Sequence, residues 1–163
     1  MPAFDHVVRP GLGLGPLRFG MSEARVRELL GEPEEVKTMD YPDATSNRYL
    51  VYGDGALELQ WSTEEEDRLE SITSHSPELT WEGRRLVGLT ETQLLALDPP
   101  EHGPAQRNDP HDFGDEDFET WHGWDALSIT CFVDRETECV YGVWLTPLWR
   151  DTETYVWPDG ADT

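Results

Sequence analysis

The segments LRFGMSEARVRELLGEP (17–33) and RLVGLTETQLLALDPP (85–100) decide how the chain is read. Set at an offset of 68, Phe19 meets Val87, Gly20 meets Gly88, Met21 meets Leu89, Ser22 meets Thr90 and Glu23 meets Glu91. Val26 then falls on Leu94 and Leu29 on Leu97. Each segment reads as a short helix. Ser22 and Thr90 are N-cap residues whose hydroxyls can accept from the unpaired N–H groups of a first turn, and Glu23 and Glu91 lie at the positive end of the helix dipole. Thr90 with Gln93 also makes a capping box, which Ser22 with Arg25 does not. Val26, Leu29 and Leu30 form one apolar face at i, i+3 and i+4, as do Leu94 and Leu97. Gly31 in the left-handed conformation and Pro33 end the first helix; Pro99 and Pro100 stop the second.

The correspondence continues outward. ALELQWST (56–63) matches ALSITCFV (126–133) at offset 70, and RLESIT (68–73) parallels CVYGVW (139–144) at offset 71. Element order is the same in both halves and the offset hardly drifts, so the chain reads as a tandem duplication. Tyr49–Tyr52, the turn Gly53-Asp54-Gly55 and Ala56–Ser62 form a hairpin pattern in which Leu57, Leu59 and Trp61 alternate with Glu58, Gln60 and Ser62. In the second copy Leu127, Ile129, Cys131 and Val133 alternate with Ser128, Thr130 and Phe132. The acidic runs Glu64–Asp67 and Asp134–Glu138 are hairpin tips, followed by strands Arg68–Thr73 and Cys139–Leu145. Leu69 and Ile72 can share a face only across a β-bulge. The expectation is an α+β fold, each copy a short helical element packed on an antiparallel four-stranded sheet, the two together forming a concave sheet. The units are 1–75 and 76–150, with a C-terminal tail over 151–163.

Composition narrows the function. Twelve Lys and Arg against 34 Asp and Glu leave a net charge of −22. That field repels nucleic acid and anionic membranes, whose binding depends on Lys and Arg neutralising phosphate. It attracts a basic protein, although acidity also serves simply as a solubility device. There is no apolar run long enough for a membrane helix, no secretory leader pattern and no lipobox cysteine near the N-terminus, which together read as cytoplasmic. Two cysteines, Cys131 and Cys139, are too few for a disulfide framework. They sit opposite one another if their hairpin centres near Arg135, and a reducing compartment leaves both as thiols.

The phrase LRFGMSEARVRELLGEP, followed by an antiparallel meander and repeated in tandem, resembles the beta-lactamase inhibitory protein superfamily. It is also similar to the single-copy outer-membrane lipoproteins of the SmpA/OmlA type, which share its helix motif. The resemblance covers roughly residues 15–146, and the tandem arrangement favours the former. It implies two sheets presenting a concave surface that grips a partner protein. Gly53-Asp54 looks like the hairpin tip from which the inhibitors' Asp enters the partner's site. The chain departs from the family at Gly55, where the inhibitors carry an aromatic, and in its cysteine positions.

Candidate partner-binding residues are therefore Asp54, Trp121, Trp124, Phe132 and Trp144. If Leu127, Ile129 and Cys131 face the helices, Phe132 lies on the opposite face, and Trp144 joins it if Val143 is core. Large aromatics on an open sheet face are the usual anchors of a protein interface, and core or rim packing is the plainer explanation of any one Trp. The segment 101–119 has seven acidic residues and one Arg and reads as a long loop, either solvated or a dock for a basic partner. Asp115, Asp117 and Glu119 lack the turn Gly and terminal Glu of a calcium loop. GLGLG (11–15) is no dinucleotide loop, having no strand before it and a Pro after it. No HExxH, GxSxG, Walker or CxxC pattern occurs. The reading is a non-catalytic protein-binding module without metal or cofactor, an inhibitor or immunity-type protein of bacterial kind whose partner is another protein of basic character. The alternatives are a soluble scaffold or assembly factor and, behind it, a small-molecule binder.

Overall fold

The alternation of Leu57, Leu59 and Trp61 with Glu58 and Gln60 is realised at the centre of an eight-stranded antiparallel sheet. A computed structural model describes residues 4–97, 106–108, 119–151 and 153–160. The strands are β1 (Glu35–Asp40), β2 (Ser46–Tyr52), β3 (Leu57–Ser62), β4 (Arg68–Ser74), β5 (Gln106–Asn108), β6 (Glu119–Trp124), β7 (Ile129–Asp134) and β8 (Val140–Leu145). Their spatial order is β5-β6-β7-β8-β4-β3-β2-β1. Two meanders thus meet where β8 pairs with β4, Trp144 opposite Thr73. The halves on either side of residue 75 share one continuous sheet.

One face of the sheet is dry. Leu50, Leu59, Leu69, Ile72, Cys131 and Val143 are fully buried there, together with Trp61 and Ile129. The layer above them comes from helix α1 (Glu23–Leu30), helix α2 (Glu91–Leu95) and the chain before each helix, through Leu17, Phe19, Val26, Leu79, Leu86 and Leu94. The bulge demanded by Leu69 and Ile72 is present: Gln60 pairs with Ser71 but Trp61 pairs with Leu69. The ladder skips Glu70, so both apolar residues reach the core.

The N-caps form as read. The Arg25 N–H donates to Ser22 Oγ at 3.2 Å, and the Thr90/Gln93 capping box is complete. Before α1, Gly20 N–H donates to the Leu69 carbonyl and Leu69 N–H to that of Met21; before α2, Gly88 N–H donates to Val140 and Val140 N–H to Leu89. Each helix is thereby fastened to the start of the last strand of a meander. Trp61 Nε1–H donates to the Met21 carbonyl at 2.9 Å, fixing the indole beneath α1.

Several expectations are corrected. Leu127 belongs to a short 3-10 turn, Asp125–Leu127, and Ser128 at φ 51 breaks the extended run, so the strand begins at Ile129. Gly31 has positive φ (82) but ψ of −167, which is not the left-handed helical cap. The second helix ends at Leu95, and Pro99 and Pro100 lie outside the described residues. The register pairs Cys131 with Val143, not with Cys139, and both thiols are free. Residues 106–108, expected as loop, form β5; the remainder of that acidic segment up to Phe118, Asp115 and Asp117 included, lies outside the described residues. The tail expected from 151 is in part a strand, since Tyr155–Val156 pair with Leu148–Trp149. Finally, a strand does precede GLGLG: Val8–Arg9 pairs with Gly13–Leu14 in a small three-stranded sheet, in which a Cβ on Gly13 would stand 2.0 Å from the Leu17 carbonyl oxygen. Gly13 and Gly15 serve close backbone approach, and Gly11 makes room for the Leu148 side chain.

Candidate functional site

Strand parity assigns the other face. Val143 is fully buried, so Trp144 points away from the core, and Ile129, Cys131 and Val133 turn inward, so Thr130 and Phe132 point out. One cross-strand row runs the width of the sheet: Gly123, Thr130, Trp144, Thr73, Glu58, Val51 and Glu35, each opposite the next. Beside it Trp121 pairs with Phe132 and Phe132 with Gly142. The rings of Trp121 and Phe132 meet edge-on with centroids 5.5 Å apart, and Phe132 lies 6.0 Å from Tyr141, an exposed residue of the ladder's second bulge. Tyr141 stacks with His75, whose Nδ1 is 3.0 Å from the Tyr141 carbonyl oxygen. A Cβ on Gly142 would come within 2.6 Å of that imidazole, so the missing side chain is what admits the ring.

At the other end of the row a cavity of about 420 Å³ opens, lined by Glu35, Val51, Asp54, Glu58, Thr73 and His75. Asp54 sits at the tip of the β2–β3 hairpin with φ 55. The tip is anchored by Glu34, whose carboxylate accepts the N–H groups of Gly53 at 3.1 Å and Asp54 at 2.7 Å. Lys37 approaches Glu58 at 3.6 Å. The same face carries Glu70, which accepts from Gln60 Nε2 at 2.7 Å, while Gln60 Oε1 accepts from Ser71. Burial and the nearby charge of Glu65 push the Glu70 carboxyl up to about 7, the amide bond only partly offsetting them.

Of the sequence-derived residues, Trp121, Phe132 and Trp144 share this face, and Asp54 is linked to them through the cavity it lines with Thr73. Trp124 is not among them. It is 3% exposed, lies opposite Ile129 on the core side, and packs against Trp81 at 4.7 Å. Parity within β6 separates it from Trp121. Glu34, His75 and Tyr141 were not legible as site residues. Glu58 could have been found from the alternation that placed Leu57 and Leu59 inside. Among the described residues no group of three or more His, Cys, Asp or Glu side chains is arranged to hold a metal, and no helix is long and apolar enough to cross a membrane. The arrangement offers aromatic area at one end and carboxylates at the other, which suits a surface carrying both apolar and cationic groups.

Comparison with protein-family models, with curated proteins and with solved structures finds no match to this chain.

Proposed function

We propose that this chain is a protein-binding module that engages its partner through the open face of the sheet, acting as an inhibitor or immunity-type protein by covering the partner's working surface. The observation that carries the reading is the composition of that face: Trp121, Phe132, Tyr141 and Trp144 stand on a sheet surface over which, among the described residues, no helix packs, continuous with the carboxylates of Glu35, Asp54 and Glu58. Aromatics supply most of the binding energy in such interfaces, while complementary charge sets the rate of encounter. With a net charge of −22, a basic partner is favoured.

A tandem duplication with a concave sheet belongs to the same proposal. It is supported by the equivalent fastening of Gly20 to Leu69 and of Gly88 to Val140, and by the two meanders meeting at β4 and β8. The mode of action is occlusion without turnover. The test is a titration of the captured partner against wild type, Trp144→Ala and Asp54→Ala at low and high salt. Support is a 1:1 complex weakened at least tenfold by Trp144→Ala, with an association rate that falls as salt rises. Binding indifferent to both substitutions and to salt would refute it.

A further inference from the structure

One edge strand of the sheet is β5, described over Gln106–Asn108, and the other is β1. β1 is six residues long, pairs with β2 at all six positions without a bulge, and every one of its residues is exposed. Among the described residues the backbone of Glu35–Asp40 bonds only toward β2, leaving an outer row of N–H and C=O groups without a neighbouring strand. Such a row is a template for another strand, and natural sheets blunt it by shortening, bulging, inserting Pro or placing charges along it. β1 is neither short, bulged nor broken by Pro; its one such device is charge, at Glu35, Lys37 and Asp40, which discourages like-charged strands and leaves oppositely charged ones a match. Val36 is 42% exposed and Met39 52%, so each flank of the edge also offers an apolar residue.

Backbone chemistry specifies an extended segment as the occupant, and charge selects its kind. Glu35 and Asp40 close the two ends of the strand, and Glu32, Glu34 and Asp43 flank it. The sole lysine, Lys37, is engaged by Glu58 across the sheet face. A second copy of this chain is a poor match. Antiparallel self-pairing centred between Lys37 and Thr38 sets Glu35 against Asp40, centring on Lys37 sets lysine against lysine, and each copy brings −22 charges. We propose that β1 is a docking edge at which a basic, extended segment of another protein adds as a ninth strand. The main-chain bonds give affinity, and Val36 and Met39 contact alternate side chains on its two faces. The edge shares Glu35 with the carboxylate end of the open face, but its outward amides and the Trp121 and Trp144 indoles report on the two proposals separately.

The test uses the full chain, isotope-labelled, and a blocked hexapeptide of alternating arginine and valine as probe, followed by amide shifts and hydrogen exchange. The expected result is saturable binding that slows exchange of the outward amides within 35–40 at least tenfold and leaves the Trp121 and Trp144 indoles unshifted. A probe N-methylated at alternate residues keeps its charge but cannot pair, and should lose the protection; a glutamate–valine probe should bind at least tenfold more weakly. Thr38→Pro, checked for folding by its amide spectrum, should abolish protection. Equal binding of the N-methylated probe, shifts centred on the aromatic face, or absence of saturable binding to the arginine probe would each overturn the proposal.

Discussion

Nε2 of His122 lies 2.8 Å from Oε1 of Glu91, and this pair holds the place in its half of the sheet that Arg48 and Glu23 hold in the other. In both, the glutamate is the first residue of a helix and its partner sits on the core side of the second strand of a meander. Arg48 is opposite Trp61 and His122 opposite Cys131, and Trp61 and Cys131 are separated by the offset of 70 found between their two strands. The environments differ. His122 is fully buried and its Nδ1 has no hydrogen-bond partner among the described residues, whereas the Arg48 side chain is 43% exposed. Burial draws the Glu23 carboxyl upward, but the guanidinium groups of Arg48 and Arg27 outweigh it and hold the carboxyl below its usual range.

Removing the two glutamates should therefore cost different amounts. Glu91→Ala strands a buried imidazole and should destabilise by about 2–3 kcal/mol, whereas Glu23→Ala leaves Arg48 to water and should cost about 1 kcal/mol. Urea unfolding of both variants at neutral pH measures this. Equal losses would show that burial does not set the difference.

Glu70 makes stability depend on pH in an uncommon direction. Its folded pKa of about 7 exceeds the ordinary carboxyl value of 4.5, so the folded state binds the proton more tightly than the unfolded. Its contribution is neutral below pH 4.5, becomes destabilising as pH rises from there to 7, and is constant above. Glu70→Gln removes the titration while keeping an oxygen for Gln60. After allowance for partial solvent screening, it should stabilise by roughly 1–2 kcal/mol at pH 8 and change little at pH 4.5. Thermal unfolding across that range checks the slope, and a gain that is larger in acid would contradict the assignment.

The four tryptophans of the central sheet should divide into two groups. Trp61 and Trp124 are buried, and truncating either to Ala should cost about 3–5 kcal/mol. Trp121 and Trp144 lie on the open face, and the same change there should cost under about 1 kcal/mol. Chemical denaturation of the four variants separates the groups. A large loss at Trp144 would make it a structural residue and weaken its proposed role.

The two thiols should react differently. Burial pushes the Cys131 thiol up to about 12 and closes it from solvent, whereas Cys139 is half-exposed at the end of its turn. A colourimetric thiol reagent should titrate one group in the native protein and two in denaturant. Rapid labelling of both in the native state would show that β7 opens.

The strands with one wet and one dry face were readable, because Leu57, Leu59 and Trp61, or Ile129, Cys131 and Val133, state their parity in the residues themselves. Both helix starts were readable for an equally local reason, since Ser22 and Thr90 cap the turns that immediately follow. β1 was not, because EVKTMD is exposed on both faces and carries no periodic signal; only its pairing with β2 makes it a strand. Trp124 was misassigned because three aromatic or imidazole side chains crowd β6, and the 3-10 turn after it hides which parity continues. The His122–Glu91 contact joins residues 31 apart through the fold alone. The aromatic half of the candidate site was thus legible from alternation, and the carboxylate half from the hairpin tip and, at Glu58, from the same alternation. His75 reaches Tyr141 across 66 residues of chain, a meeting no local pattern encodes.

The most direct test of the central claim is the hydrogen-exchange footprint of the partner, captured from host lysate at low salt and recombined 1:1 with the full chain. Protection is expected over Trp121–Trp124, Thr130–Asp134 and Tyr141–Trp144 and around Asp54, with α1 and α2 unchanged and the footprint lost in Trp144→Ala. Protection confined to the helices, with the open face exchanging as in the free protein, would contradict it.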